Sequence, residues 1–294
     1  MFYRQKILMA LLETFGGHLP SRDLQKYLFL YTTLCEKDKS YDFVPYKYGC
    51  FSFQSYVDKN KLIERGHLAD EEDWKIRDAR KKYSNKINNG EQKKLTLFHN
   101  KYKNLKGTKL VHYIYKNYPY FAINSVIAKD ILNDNEMKIV NSERVKIDSA
   151  ILATVGYEGI SFESYLNKLI KNDIKLLIDV RKNPISRKYG FSKKTLSAAL
   201  NNLNIEYVHM PALGIESSER KYLRSVNDYK NLFHRYKNKQ LTKNNSEVDK
   251  VYDLLKSYKR IALTCFEKTS ELCHRGTLAN YISDRYNDVT TEHI

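Results

Sequence analysis

Apolar residues recur at helical spacing from the start of the chain. Ile7, Leu8, Leu11, Leu12 and Phe15 fall on one stripe of a helix over residues 3–15, which Gly16-Gly17 stop. Pro20-Ser21 opens a second helix with Ser21 as its expected N-cap and Leu24, Tyr27, Leu28, Leu30 and Tyr31 on its apolar side. The run YDFVPYKYGCFS has strand-like aromatics, and a third helix is expected over about 53–65. Three short helices with a glycine-containing ribbon suggest a helix-turn-helix or winged-helix-like unit, although here the ribbon precedes the third helix. A helical protein-interaction module fits the same pattern. Residues 75–106 hold eleven Lys/Arg against Asp78 and Glu91, interleaved with Tyr83, Phe98 and Tyr102, and Asn88-Asn89-Gly90 divides them. An apolar helical pattern returns over 108–132, and the polar EMKIVNSERVKIDS reads as a linker.

The pattern then changes period. Ile151–Val155 is a short, wholly apolar run that ends in Gly156-Tyr157-Glu158-Gly159, and Ser161 is placed to cap a helix reaching about Lys171. A second buried strand, Lys175–Arg181, follows. After it come a helix over 192–203, a strand over 205–209, a helical insertion over about 218–257, a strand over 260–265, a helix over 273–285 and a short closing strand. Strands alternating with helices predict an α/β domain: a mostly parallel, Rossmann-like sheet with helices on both faces, preceded by a mainly α-helical domain. The expected domains are residues 1–148 and 149–294.

Composition narrows the function classes. A 42% hydrophobic content supports real cores, and no run approaches the ~20 apolar residues of a membrane span. The N-terminal apolar stretch is short and interrupted by Glu13, so it reads as an amphipathic helix rather than a signal peptide, and the chain as cytoplasmic. Four cysteines in 294 residues make no disulfide scaffold, and no C-x-x-C pair marks a zinc site. The net charge of +17 divides as +9 and +8 between residues 1–150 and 151–294, a field that favours a polyanion such as nucleic acid. A generally lysine-rich composition is the plainer account. If the basic stretch does meet DNA, Lys81, Lys82, Lys93 and Lys94 are its expected phosphate contacts, with the aromatics available to stack on bases.

Ligands of open α/β sheets sit outside the carboxyl ends of the strands. Here the first strand ends in Tyr157-Glu158, the second in Asp179-x-Arg181 and the later one in Cys265-Phe266-Glu267, while Cys273-His274-Arg275 opens the next helix. Parallel topology therefore predicts that Glu158, Asp179, Arg181, Glu267, His274 and Arg275 line one cavity. His274-Arg275 at a helix N-terminus suits an anion. Cys265, at a buried strand end without a tight glycine loop, reads as a supporting thiol rather than a nucleophile.

Four stretches carry a resemblance. Thr154–Gly159, the run IDVRKNPISRKYGFSKKTL, the segment IEYVHMPALGI and the closing LTCFEKTSELCHR are similar to the domain-of-unknown-function family 488. The first domain more loosely resembles the helical N-terminal region of one subgroup, chiefly through YPYFAINS. The resemblance implies a Rossmann-like fold and a nucleic-acid-directed role in bacterial defence, including phage defence, or genome maintenance. It also implies a site built from Tyr157, Glu158, Asp179, Arg181, Pro184, Ser186, Arg187, Cys265, Glu267, Cys273, His274 and Arg275.

The expected function is therefore a DNA-directed hydrolase, glycosylase-like and base-excising on modified bases, with no cofactor. Glycosidic cleavage needs a carboxylate for an oxocarbenium-like transition state and a second group for water, roles open to Glu158, Asp179 and Glu267. Arg181, Ser186, Arg187, Cys265, Cys273, His274 and Arg275 would hold substrate or phosphate, and Tyr157 or Tyr207 would stack on an extruded base. Three alternatives stay open: a nuclease whose carboxylates hold Mg²⁺, rhodanese-like thiol chemistry on a small anion, and a non-catalytic DNA-binding regulator.

Overall fold

The helical stripes of the first half meet in one core. The computed structural model describes residues 1–220 and 223–294, in two units, Met1–Arg144 and Val145–Ile294. In the first unit α1 (Tyr3–Thr14) and α2 (Ser21–Cys35) bury the apolar sides expected of them. Gly16 and Gly17 end α1 at positive φ, 93° and 78°, where a side chain would be strained. Ser21 does not cap α2. Pro20 holds the cap position, and Ser21 is engaged elsewhere, its N–H donating to Asp73 Oδ1 and its hydroxyl to the Glu72 carbonyl.

Two small antiparallel ribbons complete the early part of this unit. β1 (His18–Leu19) pairs with β4 (Trp74–Lys75), and β2 (Val44–Tyr46) pairs with β3 (Gly49–Phe51) ahead of α3 (Phe53–Glu64). α4 (Asn89–Tyr102) begins at Asn88, whose side chain accepts from the Glu91 N–H, so Asn89-Gly90 lie inside its first turn instead of breaking it. α5 (Gly107–Asn117), a 3₁₀ turn (Pro119–Ala122) and α6 (Ala128–Ile131) follow. The first half of the stretch expected as a linker is helical: α7 (Asp134–Ser142) is opened by an Asn133–Glu136 capping box and buries Val140.

The second unit holds a five-stranded, all-parallel sheet. Its strands are β5 (Ile151–Gly156), β6 (Leu176–Asp179), β7 (Glu206–His209), β8 (Arg260–Cys265) and β9 (Thr291–His293), in the order β7-β6-β8-β5-β9. The helices are α8 (Phe162–Lys171, capped by Ser161), α9 (Lys193–Asn201), α10 (Val226–Arg235), α11 (Asn245–Tyr258) and α12 (His274–Arg285). The expected insertion over 218–257 resolves into a 3₁₀ turn, α10, a π-helical turn (Tyr236–Leu241) and α11, with residues 221–222 outside the described set.

Alternation along the strands assigns the two faces. Leu152, Leu176, Ile178, Ile261 and Leu263 share a core with Val248, Val251 and Leu255 of α11 and Leu278, Ala279 and Ile282 of α12. Thr264 points the other way, where the Tyr165 hydroxyl of α8 donates to its Oγ1.

Candidate functional site

Register brings the strand ends level. Asp179 lies opposite Thr264 and His209, and Gly156 opposite Cys265, so the carboxyl ends of β5, β6, β7 and β8 form one edge. Successive residues of a strand face opposite ways, however. Asp179 therefore falls on the α8 face with Thr264, and Cys265 on the α12 face. The predicted constellation reaches one edge but splits between the two sides of the sheet.

On the α8 side stands a closed ion pair. Asp179 is 0% exposed and Arg181 7%. Asp179 Oδ1 accepts from the Arg181 backbone N–H (3.1 Å) and Nε (2.8 Å), and Oδ2 accepts from Nη2 (2.5 Å) and from the Tyr207 hydroxyl (2.7 Å). Arg181 Nη1 donates to the Tyr157 hydroxyl and the Phe191 carbonyl, each at 2.8 Å. Burial opposes the Arg181 charge, but the bonds to Asp179 and its negative charge outweigh that and raise the guanidinium pKa. A carboxylate with four donors on it is a positioning group, and Asp179 is engaged in aiming Arg181 instead of standing free for acid–base work.

The α12 side carries a mixed cluster. Cys265 and Cys273 Sγ lie 3.2 and 2.9 Å from Glu267 Oε2, and 3.7 and 3.9 Å from His274 Nδ1. His274 Nε2 meets the Val180 carbonyl at 3.0 Å, and Arg220 reaches His274 Nδ1 (2.6 Å) and Glu267 Oε1 (2.8 Å). Because Nε2 faces a carbonyl it carries the proton, which leaves Nδ1 with its lone pair toward the thiols and the Arg220 donor. A hydrogen bond from Cys273, with help from His274 and Arg220, holds the Cys265 thiol well below its ordinary range, while burial pushes Cys273 well above. Burial and the neighbouring Cys265 raise the Glu267 carboxyl.

Other predicted residues have structural duties. Arg275 is buried, with Nη1 and Nη2 donating to the Glu267 and Lys268 carbonyls, so it shapes the loop instead of meeting an anion. Glu158 is exposed and accepts from the Lys268 N–H on the same loop. Gly156 permits this closeness: a Cβ there would stand 1.9 Å from the Glu267 carbonyl oxygen. The Tyr157 ring is stacked on Phe191 at 4.1 Å, and the Tyr207 hydroxyl is held by Asp179, so neither is placed to stack on a base as expected. Tyr83, Phe98 and Tyr102 of the basic stretch are core residues for the same purpose of packing, leaving Lys81, Lys82, Lys93 and Lys94 exposed without interleaved aromatics.

A cleft of about 300 Å³ opens between the two sides. Tyr157, Arg181, Ser186, Arg187 and Cys265 line it, and so do Lys182, Asn183, Ile185, Ile215, Arg220 and Phe266, which the sequence reading did not single out. Glu158, Asp179, Glu267, His274 and Arg275 are not among the lining residues. Among the described residues four cations line the cleft and no carboxylate does, while Ile185 and Phe266, 84% and 44% exposed, supply apolar surface. Arg220 had no local signal, since it lies within a segment that read only as helical insertion. Its Glu267 contact spans 47 residues.

No curated protein and no solved structure matches the chain. Residues 161–282 match the model of the family described as Domain of unknown function DUF488, and the second unit therefore carries a domain of that family.

Proposed function

We propose that this protein is a DNA-directed hydrolase whose second unit takes one nucleotide by its phosphates and releases the base. The observation that carries the reading is the cleft, lined by Arg181, Lys182, Arg187 and Arg220, with Glu267 bonded to its Arg220 wall. The exposed Arg187 guanidinium can match phosphate oxygens bidentately beside the charges of Arg181, Lys182 and Arg220, and the exposed Ile185 and Phe266 offer apolar surface to a base. Asp179 and Glu158 are engaged in other bonds, so the acid–base role falls to Glu267 alone. In that role the protonated Glu267, which stands behind the Arg220 wall and does not itself line the cleft, gives its proton through an intervening water to the departing base. Water then bonds to the anomeric carbon, and the proton it loses returns to Glu267. The exposed lysines around α4 supply salt-dependent retention on the duplex.

Incubation with modified and unmodified duplex DNA, with and without chelator, tests this reading. Abasic sites support base excision. Direct strand breaks lost on chelation support the Mg²⁺ nuclease instead, and retention without product supports a binding protein. A second reading, thiol chemistry on a small anion, draws on the Cys265 thiol at the cleft wall, which Cys273, His274 and Arg220 favour as thiolate. A covalent adduct trapped on Cys265, with all turnover lost in Cys265→Ser, would establish it over base excision.

A further inference from the structure

We infer that Cys265, Cys273 and His274 form a mononuclear binding site for a zinc-class divalent cation, with Glu267 beside it as a non-ligating acid–base group. The inference goes beyond the base-excision reading and does not depend on the substrate. One ligand atom from each of the three residues lies within 4.8 Å of the other two. The two S···N separations, 3.7 and 3.9 Å, are close to the edge of a tetrahedron with Zn–S and Zn–N bonds of ordinary length, about 3.6 Å. Closing the remaining few tenths of an ångström needs only small side-chain rotations.

The surroundings are those of a ligating histidine. His274 Nε2 is fixed on the Val180 carbonyl, an outer bond that sets the tautomer and aims Nδ1 at the two sulphurs. All three side chains are buried, so a metal here would be shielded from bulk water except through the cleft that Cys265 lines. Two thiolates and one imidazole are the protein set of an open zinc site, whose fourth position is left for water or a substrate oxygen. Glu267 Oε2, 3.2 and 2.9 Å from the sulphurs, stands where it can exchange a proton with a group at that position. Arg220 bonds both Glu267 and His274 Nδ1 and offsets the thiolate charge; on metal binding it gives up the Nδ1 bond and keeps Glu267. Metal on Cys265 removes that sulphur as a nucleophile, so the site and the thiol reading exclude each other.

The test uses the full chain, stripped with chelator, reloaded with zinc and passed through a desalting column. We expect roughly one retained zinc per chain, release of thiol protons on loading, and a thiolate-to-metal absorption band with Co²⁺ in place of zinc. Cys265→Ser and Cys273→Ser should each lose the band and most of the retained metal, whereas Glu267→Gln should keep both. A readout on the unsubstituted protein guards against variants that fail to fold: zinc should block alkylation of Cys265, and chelator should restore it. Retention no greater than in the serine variants, or alkylation of Cys265 unaffected by zinc, overturns the inference as adventitious metal only. Because none of these readouts involves DNA, a failed metal site leaves base excision standing, and absent DNA products leave the metal site standing.

Discussion

Replacing Asp179 by Asn should unfold the second unit more readily instead of merely silencing it. In the structure the carboxylate is fully buried and accepts four hydrogen bonds, two of them from the Arg181 side chain at 2.8 and 2.5 Å. An amide removes the charge that compensates a nearly buried guanidinium. It also turns one acceptor into an NH₂ facing donors from Arg181 and Tyr207. Breaking a buried ion pair from one side costs about 3–5 kcal/mol. For a unit of this size that corresponds to a fall in Tm on the order of 10 °C. Urea and thermal unfolding followed by near-ultraviolet circular dichroism would measure it. The double variant Asp179→Asn/Arg181→Met should recover a large part of the loss, because no unpaired charge then remains. A cost below ~1 kcal/mol for Asp179→Asn, or a double variant as unstable as the sum of the singles, would refute the ion-pair argument.

Glu267→Gln should lower base release by roughly 10²-fold or more with Tm and DNA retention nearly unchanged, and turnover at the unsubstituted level would exclude Glu267 as the acid. Neutralising Lys81, Lys82, Lys93 and Lys94 together should weaken DNA retention and flatten its salt dependence, by a slope of up to about 4 if each meets a phosphate; an unchanged slope removes this surface from the interface. Lys26 is buried against the Cys50 carbonyl, and burial lowers its pKa from 10.5. The folded state then binds fewer protons than the unfolded one between the lowered value and 10.5, so stability from this residue rises with pH across that window. Denaturation of Lys26→Met and the unsubstituted chain at several alkaline pH values should show the difference moving in favour of lysine as pH rises, and parallel curves would contradict the assignment.

Period and punctuation in the sequence determined the elements. The switch from 3.6-residue stripes to short apolar runs near Ile151 marked the α/β unit, and the strand and helix bounds there agree to within a residue or two. The turn chemistry was less legible where distant partners intervene. Ser21 resembled a cap, yet its bonds go to Glu72 and Asp73, about fifty residues away. The charged stretch over 75–106 showed its cations but not which way its aromatics point, because a buried and a stacking tyrosine have the same spacing along a helix.

The same limit applies to the candidate site. Parallel topology alone sent Asp179, Cys265, Glu267 and His274 to one sheet edge, and register confirms that edge. Only tertiary structure decided which residues are engaged and which face the cleft. Neighbouring residues of a strand project to opposite faces, so Asp179 joins Arg181 and Tyr207 while Cys265 joins Cys273, His274 and Glu267. Cys265 and Cys273 are eight positions apart and match no metal-binding spacing, yet the loop held by Arg275 and permitted by Gly156 folds them to a single point. Arg220 completes that point from a segment without any pattern of its own, because a contact between chain segments far apart leaves no periodic trace in either one.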